Sequence, residues 1–271
     1  MKRSWPVLIF AFMAWSMGPA PCRAGGILPP HSTVSGRTLG EWSVQWWQWA
    51  FSFPVSVNPL FDDTGAHAGL GNVGPVFFLA GSLAPSDDPL NVTLNRTATV
   101  LTNQYIFFPI LNNINDNSFF PLPGGPFDEA QLRQQITDNL ANTSELFASI
   151  DGVDATDLFN HRESSPPGFF SYTLPDEDNV AQFFELDISG TVSDAVADGY
   201  YLMVSPLALG SHTIRFGGTI VNNPDDPTQD FHLDITYRIT VVPEPAALSL
   251  AGIGGLIVCG CAWRRKVRTT G

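Results

Sequence analysis

The sequence predicts a mainly β fold: an antiparallel β-sandwich with one Trp-rich N-terminal helix, one further amphipathic helix and a single C-terminal transmembrane helix. Three observations predict it. Short runs rich in β-branched and aromatic residues recur between turn signals across residues 76–242. Only two segments of that body show helical periodicity, and strands do not alternate with helices as an α/β sheet requires. A composition that is 44% apolar and 12% aromatic is enough to fill a core.

Taken in order, Lys2 and Arg3 precede an apolar run over 5–17, followed by the small residues Ala20, Cys22 and Ala24. That is the pattern of a signal peptide over 1–24, cut after Ala24. Residues 25–37 are rich in Gly, Pro and Ser and read as a loose leader. Thr38 and Glu41 form a capping box for a helix over 39–51, which Pro54 stops. On it Trp42, Trp46 and Trp49 recur at helical spacing, with Trp47 and Phe51 beside them.

A loop over 58–74 leads to the continuous apolar run 76–80, expected as a strand buried on both faces. Residues 92–100 alternate, 105–111 are apolar, and the pair reads as a hairpin followed by an Asn/Asp-rich turn over 112–117. Pro126, Asp128 and Glu129 open a second helix, whose Leu132, Ile136 and Leu140 recur at four-residue steps. Strands are then expected over 146–150, 169–173, 181–188, 199–204, 212–219 and 231–242. No internal repeat suggests a solenoid, and one acidic sandwich domain over 38–241 accounts for the length.

At the C-terminus, Pro243, Glu244 and Pro245 lead into an apolar run over 246–263 and the basic residues Arg264, Arg265, Lys266 and Arg268. At about 1.5 Å per residue, 18 residues span roughly 27 Å, the short end of what a bilayer core requires. The basic tail over 264–271 stays in the cytoplasm by the positive-inside rule, so the body is translocated. Two prolines around Glu244 hold the backbone extended and available to a protease. Residues 242–271 resemble the PEP-CTERM sorting signal of bacterial proteins. The resemblance implies processing by an exosortase in a bacterium that makes exopolysaccharide, after signal peptidase has acted at the other end.

All three cysteines, Cys22, Cys259 and Cys261, lie in the end segments, which removes disulfides, thiolate metal sites and cysteine nucleophiles from the body. Residues 25–243 keep six arginines, no lysine and 25 acids, a net charge of −19. Nucleic acid is thereby excluded as a partner.

The body also resembles an uncharacterised family of secreted bacterial proteins. The resemblance rests on Gly40-Glu41-Trp42-Ser43, Trp46-Trp47-Gln48-Trp49-Ala50, the segment 74–81, Phe107-Phe108-Pro109-Ile110 and the segment 210–218. It implies no activity.

Candidate chemistry is sparse. Trp42, Trp46, Trp47 and Trp49 offer indoles for stacking on sugar rings, although a helix so covered with aromatics is more simply core. Asn112, Asn113, Asn115 and Asp116 cluster oxygens of the kind Ca2+ takes, and Asp151, Asp154 and Asp157 recur at three-residue steps, but neither run has EF-hand order. His67 and His212 show no metal-ligand spacing, and no nucleophile elbow occurs. The first expectation is therefore a non-enzymatic envelope or matrix protein: anchored in the inner membrane as a precursor, then at the cell surface or extracellular, among exopolysaccharide or matrix proteins, and without a required cofactor. A glycan- or calcium-binding module and a secreted hydrolase with paired carboxylates stand as alternatives.

Overall fold

The computed structural model describes residues 25–83, 90–119 and 124–244. Ala24 and the signal segment, Pro245, the apolar segment 246–263 and the basic residues Arg264, Arg265, Lys266 and Arg268 lie outside the described residues. Among the described residues no helix is long and apolar enough to cross a membrane.

The described chain is mainly β. In order it forms β1 (Thr33–Val34), β2 (Arg37–Thr38), α1 (Leu39–Phe51), β3 (Val76–Phe78), β4 (Asn91–Leu101), β5 (Tyr105–Asn115) and α2 (Glu129–Leu140). It continues with β6 (Thr143–Ile150), β7 (Val153–Asp154), β8 (Arg162–Ser164), β9 (Phe170–Leu174), α3 (Val180–Phe183), β10 (Gly190–Val204), β11 (Gly210–Ile220) and β12 (Phe231–Val242). One sheet has the order β3-β5-β10-β8, with β9 on the first half of β10; the other runs β4-β12-β11-β6-β7.

Strand periodicity divides the interior into two cores. From β10, Tyr200, Leu202 and Val204 face the second sheet, where they join Phe216, Ile235 and Ile239; the rings of Phe108 and Phe216 lie 4.5 Å apart. Tyr201 and Met203 point the other way, into a second core under α1 with Trp46 and Phe107. A strand covered on both faces has no polar face to alternate with, hence the unbroken apolar run over 199–204. The run 76–80 behaves as expected for the same reason: Val76, Phe78 and Ala80 face α1, while Phe77 and Leu79 face the other sheet. The second sheet has one covered face, so β4 alternates between buried and exposed residues. Helix α2 brings Leu132, Ile136 and Leu140 into the core between the sheets.

Helix α1 has the expected bounds and the expected box: Thr38 N–H donates to Glu41 Oε2 at 2.7 Å, and Glu41 N–H donates to Thr38 Oγ1 at 3.2 Å. Several expectations are corrected. Strands β4 and β5 are not a hairpin; β4 lies parallel to β12 and β5 antiparallel to β10, in different sheets. With β3 also parallel to β5, the sheets are mixed rather than purely antiparallel. Residues 112–115 are not a turn but the end of β5, paired with Val196–Gly199. Residues 181–188 are not a strand, because Asn179 caps the short helix α3 through Gln182 N–H at 3.0 Å. Helix α2 starts at Glu129 with Asp128 as its N-cap, past Pro126. The leader is not loose: Gly26 N–H donates to Ser205 Oγ, Ile27 bridges to Val204, and Leu28 N–H donates to Met203 O at 2.8 Å.

Trp46 carries most of what binds α1 to the first sheet. Its indole is 1% exposed and its N–H donates to Leu79 O at 2.9 Å. Trp46→Ala is expected to cost about 4 kcal/mol, through a cavity and an orphaned carbonyl, measured as a lowered urea midpoint with α-helical signal lost in the same transition.

Candidate functional site

The four indoles of α1 are core. Trp42, Trp46, Trp47 and Trp49 are 5%, 1%, 4% and 7% exposed, which corrects the reading of the helix as a stacking platform for sugars. Three of their N–H groups have backbone acceptors: Val34 O for Trp42, Leu79 O for Trp46 and Leu70 O for Trp49. The fourth, Trp47 Nε1, is buried without an acceptor.

The Asn/Asp run does not converge on a cation either. Strand alternation turns Asn112 and Asn113 to opposite faces. Asn115 donates to Gln135 Oε1 on α2, and Asp116 accepts from Ser118 N–H, Phe119 N–H and the Tyr172 hydroxyl. Burial and the adjacent Asp116 push the Tyr172 phenol pKa far up, so this hydroxyl stays a donor. Among the described residues no group of three or more His, Cys, Asp or Glu side chains is placed to hold a metal ion.

What the structure does bring together is Trp46, Trp47 and Asn112, around a cavity of about 150 Å³. Its origin is local. Strand β3 pairs with β5 only at Tyr105–Phe107, and the chain beyond Leu79 leaves the sheet edge. The next stretch of β5, from Pro109 onward, thus has no strand neighbour on that side, a position that suits a residue without an N–H. Opposite, the ladder to β10 slips: Tyr200 pairs with Leu111 and Tyr201 with Pro109, leaving Ile110 as a bulge. The bulge resets the alternation, so that Ile110 and Leu111 both enter the core between the sheets and Asn112 turns toward α1. There its amide Nδ2 lies buried and unpartnered, as does the hydroxyl of Tyr201. Burial raises the Tyr201 pKa; Asn112, Trp47 and Ser43 lie close enough to oppose the rise, yet the hydroxyl, the amide and the indole N–H have no well-formed bond. Leu60, Gly81, Leu83, Ile220, Phe231 and Leu233 complete an otherwise apolar lining.

A second concavity, a cleft of about 480 Å³, lies between residues 27–30 and 154–161. His161 lines it at 7% exposure, its Nδ1 unpartnered; burial holds the ring below the ordinary 6.5 against the pull of Glu163. Glu163 accepts from His31 N–H at 2.7 Å and meets its ring nitrogen at 3.2 Å. Asp154 and Asp157 share the cleft wall, and Asp157 and His31 sit at φ 57° and 59°, the left-handed region that disfavours side chains. Neither His161 nor Glu163 was selected by sequence, because their relation depends on the leader folding back.

His67 and His212 do not meet. The backbone N–H of His67 donates to Asp62 Oδ2, whereas His212 presents Nδ1 to Asp151 Oδ2 at 2.7 Å and Nε2 to Ala208 O at 2.9 Å. Two acceptors facing one imidazole favour its doubly protonated form. Desolvation works against that form, but the Asp151 carboxylate and the Ala208 carbonyl outweigh it and raise the His212 pKa above 6.5. Desolvation likewise opposes the hydrogen bonds that lower the Asp151 pKa below 3.8.

Comparison with protein-family models, with curated proteins and with solved structures finds no match. The chain is thus defined by its architecture, two five-stranded sheets with α1 on the outer face of the first.

The His212–Asp151 pair makes stability depend on pH in a defined direction. A raised histidine pKa stabilises fully below the unfolded value and fades as pH rises through the folded one; a lowered aspartate pKa stabilises above the unfolded value and fades as pH falls. Urea midpoints are expected to drop as pH is raised from about 6 to about 9, and this part of the drop should vanish in His212→Gln.

Proposed function

We propose that this chain is exported, held in the inner membrane as a precursor, processed by an exosortase at Pro243-Glu244-Pro245, and delivered to the cell surface or extracellular matrix of an exopolysaccharide-producing bacterium as a non-enzymatic protein. The reading rests on the sequence of both ends. One structural observation supports it: the fold stops where the motif begins. Strand β12 is paired through Val242, opposite Leu101, and Thr102 N–H donates to Val242 O; the next residue is Pro243. A cut at the motif therefore unpairs no strand. The other end behaves alike, for Gly26 is already bonded to Ser205, two residues beyond the expected signal-peptidase cut after Ala24.

The net charge of −19 over residues 25–243 suits a soluble payload outside the cell. Neutral glycans and protein partners fit this surface better than anionic polysaccharide does.

Intact mass and C-terminal peptide mapping of protein from the native host test the reading. A mature form running from Gly25 to the neighbourhood of Pro243 is expected. It should be lost when the sorting protease is deleted, or when Pro243, Glu244 and Pro245 are all replaced by Ala. A chain still ending at Gly271 in the unmodified host would overturn the proposal.

A further inference from the structure

The cavity beside the β5 bulge has the features of a binding site. Its lining is apolar over most of its extent, with Leu60, Leu83, Ile110, Leu111, Phe231 and Leu233 among its residues. At one place three polar groups gather: Trp47 Nε1, Asn112 Nδ2 and the Tyr201 hydroxyl, all buried and none with a hydrogen-bond partner. Trp47 and Tyr201 are 4% and 0% exposed, so bulk water does not satisfy them. Buried donors are nearly always paired, and leaving one unmade costs about 1–3 kcal/mol. All three groups can donate, two of them only donate, and no acceptor from the chain serves them. The missing partner is an oxygen acceptor.

Size limits what can carry that oxygen. A dry apolar cavity of about 150 Å³ holds a molecule the size of benzene. The walls reject a polyol, because a sugar would bring several hydroxyls against leucine, isoleucine and phenylalanine and find partners for one. The part-exposed Ser82, Leu83 and Ile220 place the opening at the surface, so entry does not require the sheets to part.

We propose that this cavity binds a small ring-sized apolar molecule bearing a single hydroxyl or carbonyl oxygen, held by the oxygen at Trp47, Asn112 and Tyr201. The site is independent of export and processing, and holds or fails without them.

The test uses the exported body, residues 25–243, purified with isotope-labelled Ile and Leu methyl groups and titrated with phenol, toluene and glucose. Phenol and toluene match in shape, and toluene is the more hydrophobic, so lipophilicity alone favours toluene. Phenol is expected to shift the methyl signals of Leu60, Leu83, Ile110, Leu111, Ile220 and Leu233 saturably, and to bind about tenfold tighter than toluene, the effect of one hydrogen bond. Glucose should shift none of them. In Asn112→Leu, checked for an unchanged methyl spectrum elsewhere, the preference should fall toward parity or reverse. Absence of saturable shifts with millimolar phenol, or toluene binding as tightly as phenol to the unsubstituted protein, would overturn the proposal. Both readouts on the unsubstituted protein stand even where the variant does not fold.

Discussion

Strand β10 is the constraint on which the rest of this structure depends. It runs from Gly190 to Val204, pairs with β5, β8 and β9, and from Ala195 onward every residue is buried. A strand with two dry faces must be covered twice, and that requirement dictates both layers: the second sheet on the side of Leu202, and the tryptophan helix on the side of Tyr201 and Met203. The load of indoles on α1 follows, because a single helix must cover a face that elsewhere in the molecule is covered by a whole sheet. Bulk, rather than recognition, accounts for Trp42, Trp46 and Trp49.

What the sequence made legible was whatever depends on near neighbours. The capping box at Thr38 and Glu41, the helix it starts, and the doubly buried run over 76–80 all follow from spacing within a few residues. What it hid depends on long-range pairing. Residues 92–111 look like a hairpin because nothing local tells two strands joined by a tight connection from two strands that part into different sheets. The Asn-rich run 112–117 looks like a turn by composition, yet β10 offers a ladder as far as Asn115, and backbone pairing overrides side-chain preference.

The candidate site was half visible. Trp46, Trp47 and Asn112 stood out by type, but as parts of two unrelated ideas, stacking on sugars and binding of calcium. Their meeting required the Ile110 bulge, which flips the phase of the strand, and the early departure of β3 from the sheet edge. Pro109 inside an apolar run was the available signal, since proline within a strand points to an unpaired edge or a bulge. Tyr201 carried no such signal, one apolar position among many.

The position of the last strand has a mechanical consequence. β12 is not at an edge: it is zipped along its whole length to β11 on one side and to β4 on the other. Any tension applied to the chain beyond Val242 enters the domain along the axis of this strand. It then loads the rungs of both ladders together, in shear, instead of peeling them one at a time. A body tethered by its C-terminal end in flowing medium would thus hang from the part of the fold best built to resist extraction.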